Sequence, residues 1–153
     1  MPSQWDVFPA NYREHEVAQI AAWIDAGESG LVVGLSGAGK SNVLGFVARL
    51  KGHGTLLRPL LDLNRLPEPT LAAFLRQLLA ALDDAASAEL PADALEKLRG
   101  ITDRALAQTD AFLLGRSVEA ALALLCGEME LRTIILMDRF DVALERFDAS
   151  FFN

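Results

Sequence analysis

The sequence predicts an α/β fold of three layers, a parallel sheet with helices on both faces. Three observations carry that prediction. Short apolar segments suited to buried strands alternate with longer segments of helical period. A glycine-rich loop joins the first such strand to a helix, and the last strand runs straight into Asp138. With 153 residues the chain can build one domain with a sizeable core, and 52% hydrophobic residues favour folding over disorder. The expected organisation is a single domain over 1–153: a lead-in and helix at 1–29, a core at 30–141, and at 142–153 the start of a helix that breaks off.

The elements follow in order. Pro2, Pro9, Trp5, Phe8 and Tyr12 suggest an extended lead-in held by packing. From Arg13 the period becomes helical, with Val17, Ile20, Ala21 and Ile24 at i, i+3, i+4 and i+7. Gly27 and Gly30 end that helix. Leu31-Val32-Val33-Gly34 reads as a short buried parallel strand. Val43, Leu44, Val47, Ala48 and Leu50 form a second helical face that stops near Gly52-His53-Gly54, where His53 reads as a solvated turn residue. A strand is expected from Thr55 to Leu63, reduced to an edge or a bulge by Pro59. After Pro67 and Pro69, the residues Leu71, Phe74, Leu75, Leu78, Leu79 and Leu82 mark the face of a helix from Thr70 to Asp84. Pro91 suits the first turn of a short helix through Leu98, and a further helix from Thr102 to Cys126 is expected to break at Gly115. Thr133 to Met137 is the last strand. Asp83-Asp84 reads as solvated surface, and Cys126 as a small buried hydrophobe.

Charge and composition exclude several functions. Fourteen basic against twenty-one acidic residues leave a net charge of −7, which opposes non-specific binding to nucleic acid. One cysteine makes no internal disulfide, and no His, Cys, Asp and Glu cluster has zinc spacing. The start Met-Pro-Ser-Gln-Trp-Asp lacks the basic and apolar regions of a secretory signal. No apolar run reaches the roughly eighteen residues of a membrane span. A cytoplasmic protein is the expectation.

The segment Gly34-Leu35-Ser36-Gly37-Ala38-Gly39-Lys40-Ser41 fits the phosphate-loop pattern G-x-x-x-x-G-K-[ST] at every fixed position. Each residue type has a physical reason. Gly34, Gly37 and Gly39 allow positive φ and close approach to phosphate. The backbone N–H groups from Gly37 to Ser41 form an anion nest at a helix N-terminus. Lys40 reaches the β- and γ-phosphates, and the Ser41 hydroxyl ligates Mg²⁺. The nucleotide-binding set is therefore Gly34, Ser36, Gly37, Ala38, Gly39, Lys40, Ser41 and the adjacent Asn42, with ATP and Mg²⁺ as the expected cofactors. Phosphoryl transfer also needs an acid near the metal, at the C-terminal end of a neighbouring strand. Ile134-Ile135-Leu136-Met137-Asp138 supplies that pattern, with Asp138 as the second metal residue. Many ATPases follow this aspartate with a glutamate that polarises water; here Arg139 follows, and arginine stays protonated. Asp141 is the candidate substitute base, or else a cap for the next helix. Lys40, Asp138 and Asp141 make up the candidate catalytic set.

These blocks resemble the N-terminal part of an AAA+/STAND-type ATPase, in the group of origin-recognition-like ATPases. Arg13-Glu14-His15-Glu16 is similar to the R-E-x-E helix ahead of the loop, Gly34–Ser41 is the Walker A motif, and Asp138-Arg139-Phe140-Asp141 stands where relatives tend to have Asp-Glu-Phe-Asp. The resemblance implies a P-loop NTPase fold, incomplete at its C-terminus. It also implies that Val7 to Pro9 lie near adenine, where aromatic residues are equally read as core. Such ATPases continue into a sensor strand and a lid, so a fragment of a longer protein, or a strand supplied from elsewhere, is expected. A homo-oligomer or a downstream effector domain is the expected partner. Two other functions stay open. A small-molecule kinase is suggested by the likeness of the loop to that of adenylylsulfate kinases, although Leu61-Asp62-Leu63-Asn64-Arg65 fits their Asp-Gly-Asp motif poorly. A regulatory module that binds nucleotide without turning it over is the other.

Overall fold

A computed structural model describes residues 7–50 and 56–147. The chain forms two compact units, 1–51 and 52–153. In the first, helix α1 (Glu14–Ala26) and helix α2 (Lys40–Arg49) pack on each other, with Ile20 and Ile24 of α1 and Val43, Phe46 and Val47 of α2 buried. Ile20, Ile24, Val43 and Val47 were expected on these faces, whereas Phe46 was not, and Leu44, Ala48 and Leu50 are only half-buried. Gly27 ends α1 in the left-handed region (φ 73°), and the Glu28 N–H returns to the Trp23 carbonyl at 2.9 Å. Gly30 has a packing reason: a Cβ there would lie 2.2 Å from the Trp23 ring. The lead-in is not extended where it is described. Residues 7–13 turn back on themselves, with the Tyr12 N–H on the Pro9 carbonyl at 2.9 Å and the Phe8 and Tyr12 rings stacked 4.1 Å apart.

The second unit is helical around a narrow ribbon. Strands β1 (Leu56–Leu57) and β2 (Leu60–Asp62) run parallel to β3 (Arg132–Thr133) and β4 (Leu136–Asp138). The pairs Leu56↔Arg132, Leu57↔Thr133, Leu60↔Leu136, Leu61↔Met137 and Asp62↔Asp138 share one register, so the two short sheets are one ladder with a gap. Pro59 makes the gap. Its carbonyl accepts from the Leu136 N–H at 2.9 Å, and the Leu57 carbonyl accepts from the Ile134 N–H at 2.8 Å. The bond between them would need an N–H at position 59, which proline lacks. The unbroken register means there is no bulge. Pro59→Ala is accordingly expected to add a donor and join β1 to β2; hydrogen exchange checks this, since a rapidly exchanging amide at position 59 contradicts it.

Between the two halves of the ribbon run α3 (Leu71–Ala86), α4 (Ala92–Leu106) and α5 (Ala111–Leu122), mutually packed as the crossover that parallel strands require. Leu78, Leu79 and Leu82 of α3, Leu98 and Ala105 of α4, and Leu114, Val118 and Ala121 of α5 share one core with Leu57 and Leu61. Thr70 caps α3 by accepting the Ala73 N–H at 3.2 Å. Where the sequence suggested a short helix to Leu98, α4 runs on through Gly100. The break then falls at 107–110, and not at Gly115, because Asp110 caps α5 through the Leu113 N–H at 3.0 Å. An α-helical end gives way to a π-helical turn over Ala123–Glu128, which leaves Cys126 exposed and not buried as expected. Asp84 is exposed as expected, whereas Asp83 is half-buried beside Arg99, 3.9 Å away. A short helix α6 (Phe140–Arg146) follows β4. Trp5, His53, Thr55 and the apolar residues expected to extend the last helix, Phe151 and Phe152, lie outside the described residues.

The predicted three-layer fold is therefore not formed. The chain is mainly helical, with two short two-stranded parallel sheets and no broad parallel sheet among the described residues. The decisive difference is at Leu31–Gly34, which adopts no strand; Leu31, Val33 and Leu35 are 68%, 81% and 85% exposed. An apolar run of four has no period of its own, and a strand exists only where a neighbour completes its hydrogen bonds. Among the described residues, no helix is long and apolar enough to cross a membrane.

Candidate phosphate-binding site

The loop is built from backbone conformation first. Gly37 and Gly39 take positive φ, 77° and 82°, as the motif requires. Gly34 does not take positive φ, and a Cβ there would meet only ordinary contacts, so its expected conformational role is not observed. A turn closes inside the loop, with the Ala38 N–H on the Leu35 carbonyl at 3.1 Å. That bond engages one of the amides expected to face an anion. Helix α2 then begins at Lys40, with Gly39 as its N-cap residue. Glycine has no side chain to cap with, and the first N–H groups of a helix have no acceptor within it. Val43 makes the first intrahelical bond, to the Gly39 carbonyl at 3.0 Å. The amides ahead of it carry the positive end of the helix dipole.

The charged groups gather on the same loop. The Lys40 ammonium folds back and donates to the Gly34 carbonyl at 2.8 Å and to the Leu35 carbonyl at 3.0 Å. Both are loop carbonyls, and Gly34 and Leu35 are exposed. Arg13, the N-cap residue of α1, donates to the Ala38 carbonyl at 2.8 Å from 25 positions away. Ser36 is exposed, and Ser41 and Asn42 sit half-buried in the first turn of α2. The residues expected to hold nucleotide, Gly34 and Ser36 to Asn42, all lie in the first unit.

Asp138 and Asp141 belong to the second unit. Asp138 ends β4, and its Oδ1 accepts the Arg139 N–H at 2.9 Å. Arg139 takes a left-handed conformation (φ 59°) as N-cap residue of α6, and Asp141 lies exposed in the first turn of that helix. An acid there complements the helix dipole. Sequence reasoning did not place Asp62 beside Asp138. It pairs in register with Asp138, so two carboxylates stand at the C-terminal ends of adjacent parallel strands. Asp62 is held locally: it accepts the Asn64 N–H at 3.1 Å and meets Arg65 Nε at 3.2 Å. The matching endings Leu60-Leu61-Asp62 and Leu136-Met137-Asp138 were the signal that could have found it. Among the described residues there is no group of three or more His, Cys, Asp and Glu that could hold a metal ion. The donors expected for Mg²⁺, the Ser41 hydroxyl and the Asp138 carboxylate, are hard oxygen groups, and Mg²⁺ commonly takes one or two such ligands plus substrate phosphates and water. Ser41 lies in the first unit and Asp138 in the second, so each is a suitable oxygen donor taken by itself.

No family model, curated protein or solved structure that was compared with the chain matches it.

Proposed function

We propose that this chain binds a nucleoside triphosphate, ATP with Mg²⁺, through the loop Gly34–Ser41. The supporting observation is the junction at Gly39-Lys40. Two glycines of positive φ lead into an uncapped helix N-terminus, and the lysine of the motif sits on the loop itself. Phosphate oxygens would replace the Gly34 and Leu35 carbonyls as acceptors for Lys40, trading neutral partners for anionic ones. Titration of a fluorescent ATP analogue should give saturable, Mg²⁺-dependent binding that unlabelled ATP reverses. Binding that never saturates would refute the proposal.

We further propose that turnover is slow and that nucleotide acts as a switch ligand, read out by a second copy or an attached effector. Arg139 carries this reading, because it stands where a hydrolase places its water-polarising glutamate. Asp141, exposed in a first helical turn, serves α6 as a dipole partner. Asp141→Ala is expected to leave the single-turnover hydrolysis rate within about twofold of wild type. A drop of about tenfold or more would make Asp141 the base after all. A reducing cytosol suits a chain with a single exposed cysteine.

A further inference from the structure

The position of Arg13 has no counterpart in the phosphate-loop pattern. Its guanidinium is divided between two partners: one Nη donates to Glu16 Oε1 at 3.3 Å, the other to the Ala38 carbonyl at 2.8 Å. The arginine holds a left-handed backbone (φ 45°), which non-glycine residues seldom adopt. Neighbouring aromatics brace it. Tyr12 stacks on Phe8 and tilts against Phe46 of α2 at 5.5 Å, and a Cβ on Gly39 would lie 3.4 Å from Arg13 Nη2 and 3.8 Å from the Tyr12 hydroxyl. Arg13 and Tyr12 therefore flank Gly39, the residue on which the loop becomes a helix.

The consequence follows from peptide geometry. The Ala38–Gly39 bond is trans, so its carbonyl and N–H point in opposite directions. Holding the Ala38 carbonyl toward Arg13 fixes the Gly39 N–H facing away from it. The torsions that turn this peptide are ψ of Ala38 and φ of Gly39, and glycine at 39 widens the range of the second. We propose that Arg13 is a positioning residue for triphosphate binding. It clamps the Ala38 carbonyl so that the Gly39 N–H is presented to phosphate before any ligand arrives, and Glu16 orients the guanidinium that does so. The inference rests on the reading of Gly34–Ser41 as a triphosphate site.

The test compares wild type with Arg13→Gln, Arg13→Lys, Glu16→Gln and Lys40→Ala. It reads the Gly39 amide resonance without ligand, the affinity for a fluorescent ATP analogue, and the melting temperature. Arg13→Gln should move the Gly39 resonance and weaken binding about tenfold with little change in melting, since it loses one charge-assisted bond at an exposed site. Arg13→Lys should regain part of the affinity, and Glu16→Gln should lose about twofold to threefold. Wild-type affinity in Arg13→Gln, alongside a loss in Lys40→Ala, overturns the inference alone. A full restoration by Arg13→Lys with the Gly39 resonance still displaced also overturns it, because charge and not peptide orientation would then be what matters. A wild-type chain that binds no triphosphate overturns the loop reading and the inference with it, while the Gly39 resonance still reports separately whether Arg13 holds the peptide.

Discussion

Lys40→Ala is expected to weaken triphosphate binding by about a hundredfold, while the protein melts within about two degrees of wild type. Lysine supplies the one ammonium of the motif, and its bonds to phosphate oxygens are charge-assisted. Its present acceptors, the Gly34 and Leu35 carbonyls, belong to exposed residues, so water replaces the lysine when it is removed. Alanine is also well tolerated in the first turn of α2. The two effects are therefore separable: affinity falls and stability does not. Competition of unlabelled ATP against a fluorescent analogue measures the first, and thermal melting the second. Affinity within about threefold of wild type would remove Lys40 from the site.

The largest effect on stability is expected at Leu82. This side chain is fully buried where α3 meets the core shared with α4, α5 and the ribbon. Leu82→Ala removes three carbons and leaves a void that close-packed neighbours fill only partly, at about 2–5 kcal/mol. Against a typical total of about 5–15 kcal/mol, that should move the urea midpoint of the helical signal well below that of wild type. Leu113→Ala is the control, since that leucine is 46% exposed on α5 and should cost about 0.5 kcal/mol or less. Equal midpoints for the two variants would contradict the assignment of Leu82 to the core.

The legible parts of the fold were those governed by local pattern. Helix α3 was readable because Leu78, Leu79 and Leu82 recur at helical spacing behind Thr70, a capping residue. The ribbon was readable as two strands, and Pro59 did interrupt one of them, although its missing N–H opened a gap and made no bulge. What failed depended on partners distant in sequence. Leu31-Val32-Val33-Gly34 has the composition of a strand, but ladder bonds come from another segment, and composition says nothing of whether one is there. With that strand went the three-layer sheet, which the motif had made the natural context. Gly115 was weighted too heavily as a breaker. A helix tolerates one glycine at a cost of about 1 kcal/mol, and the capping bond of Asp110 placed the boundary instead.

At the site, conformation was legible in part, since Gly34 does not take the expected positive φ, and contacts were not. Gly37 and Gly39 take the backbone that the motif demands, and Lys40 opens the helix as expected. Arg13 entered as a helix start and as the first letter of a resemblance, whereas its hydrogen bond to Ala38 spans 25 residues and leaves no mark on spacing. Asp62 was passed over for a similar reason: its neighbour Asp138 is set by ladder register across the whole helical crossover.

The proposed phosphate site is the junction at Gly39-Lys40. A titration of isotopically labelled protein with MgATP, followed through backbone amide resonances, tests it most directly. The amides of Gly37, Gly39, Lys40 and Ser41 should shift together and saturate with one affinity. If those resonances stay in place at millimolar MgATP, or if shifts arise elsewhere while these do not move, the loop is not a triphosphate site.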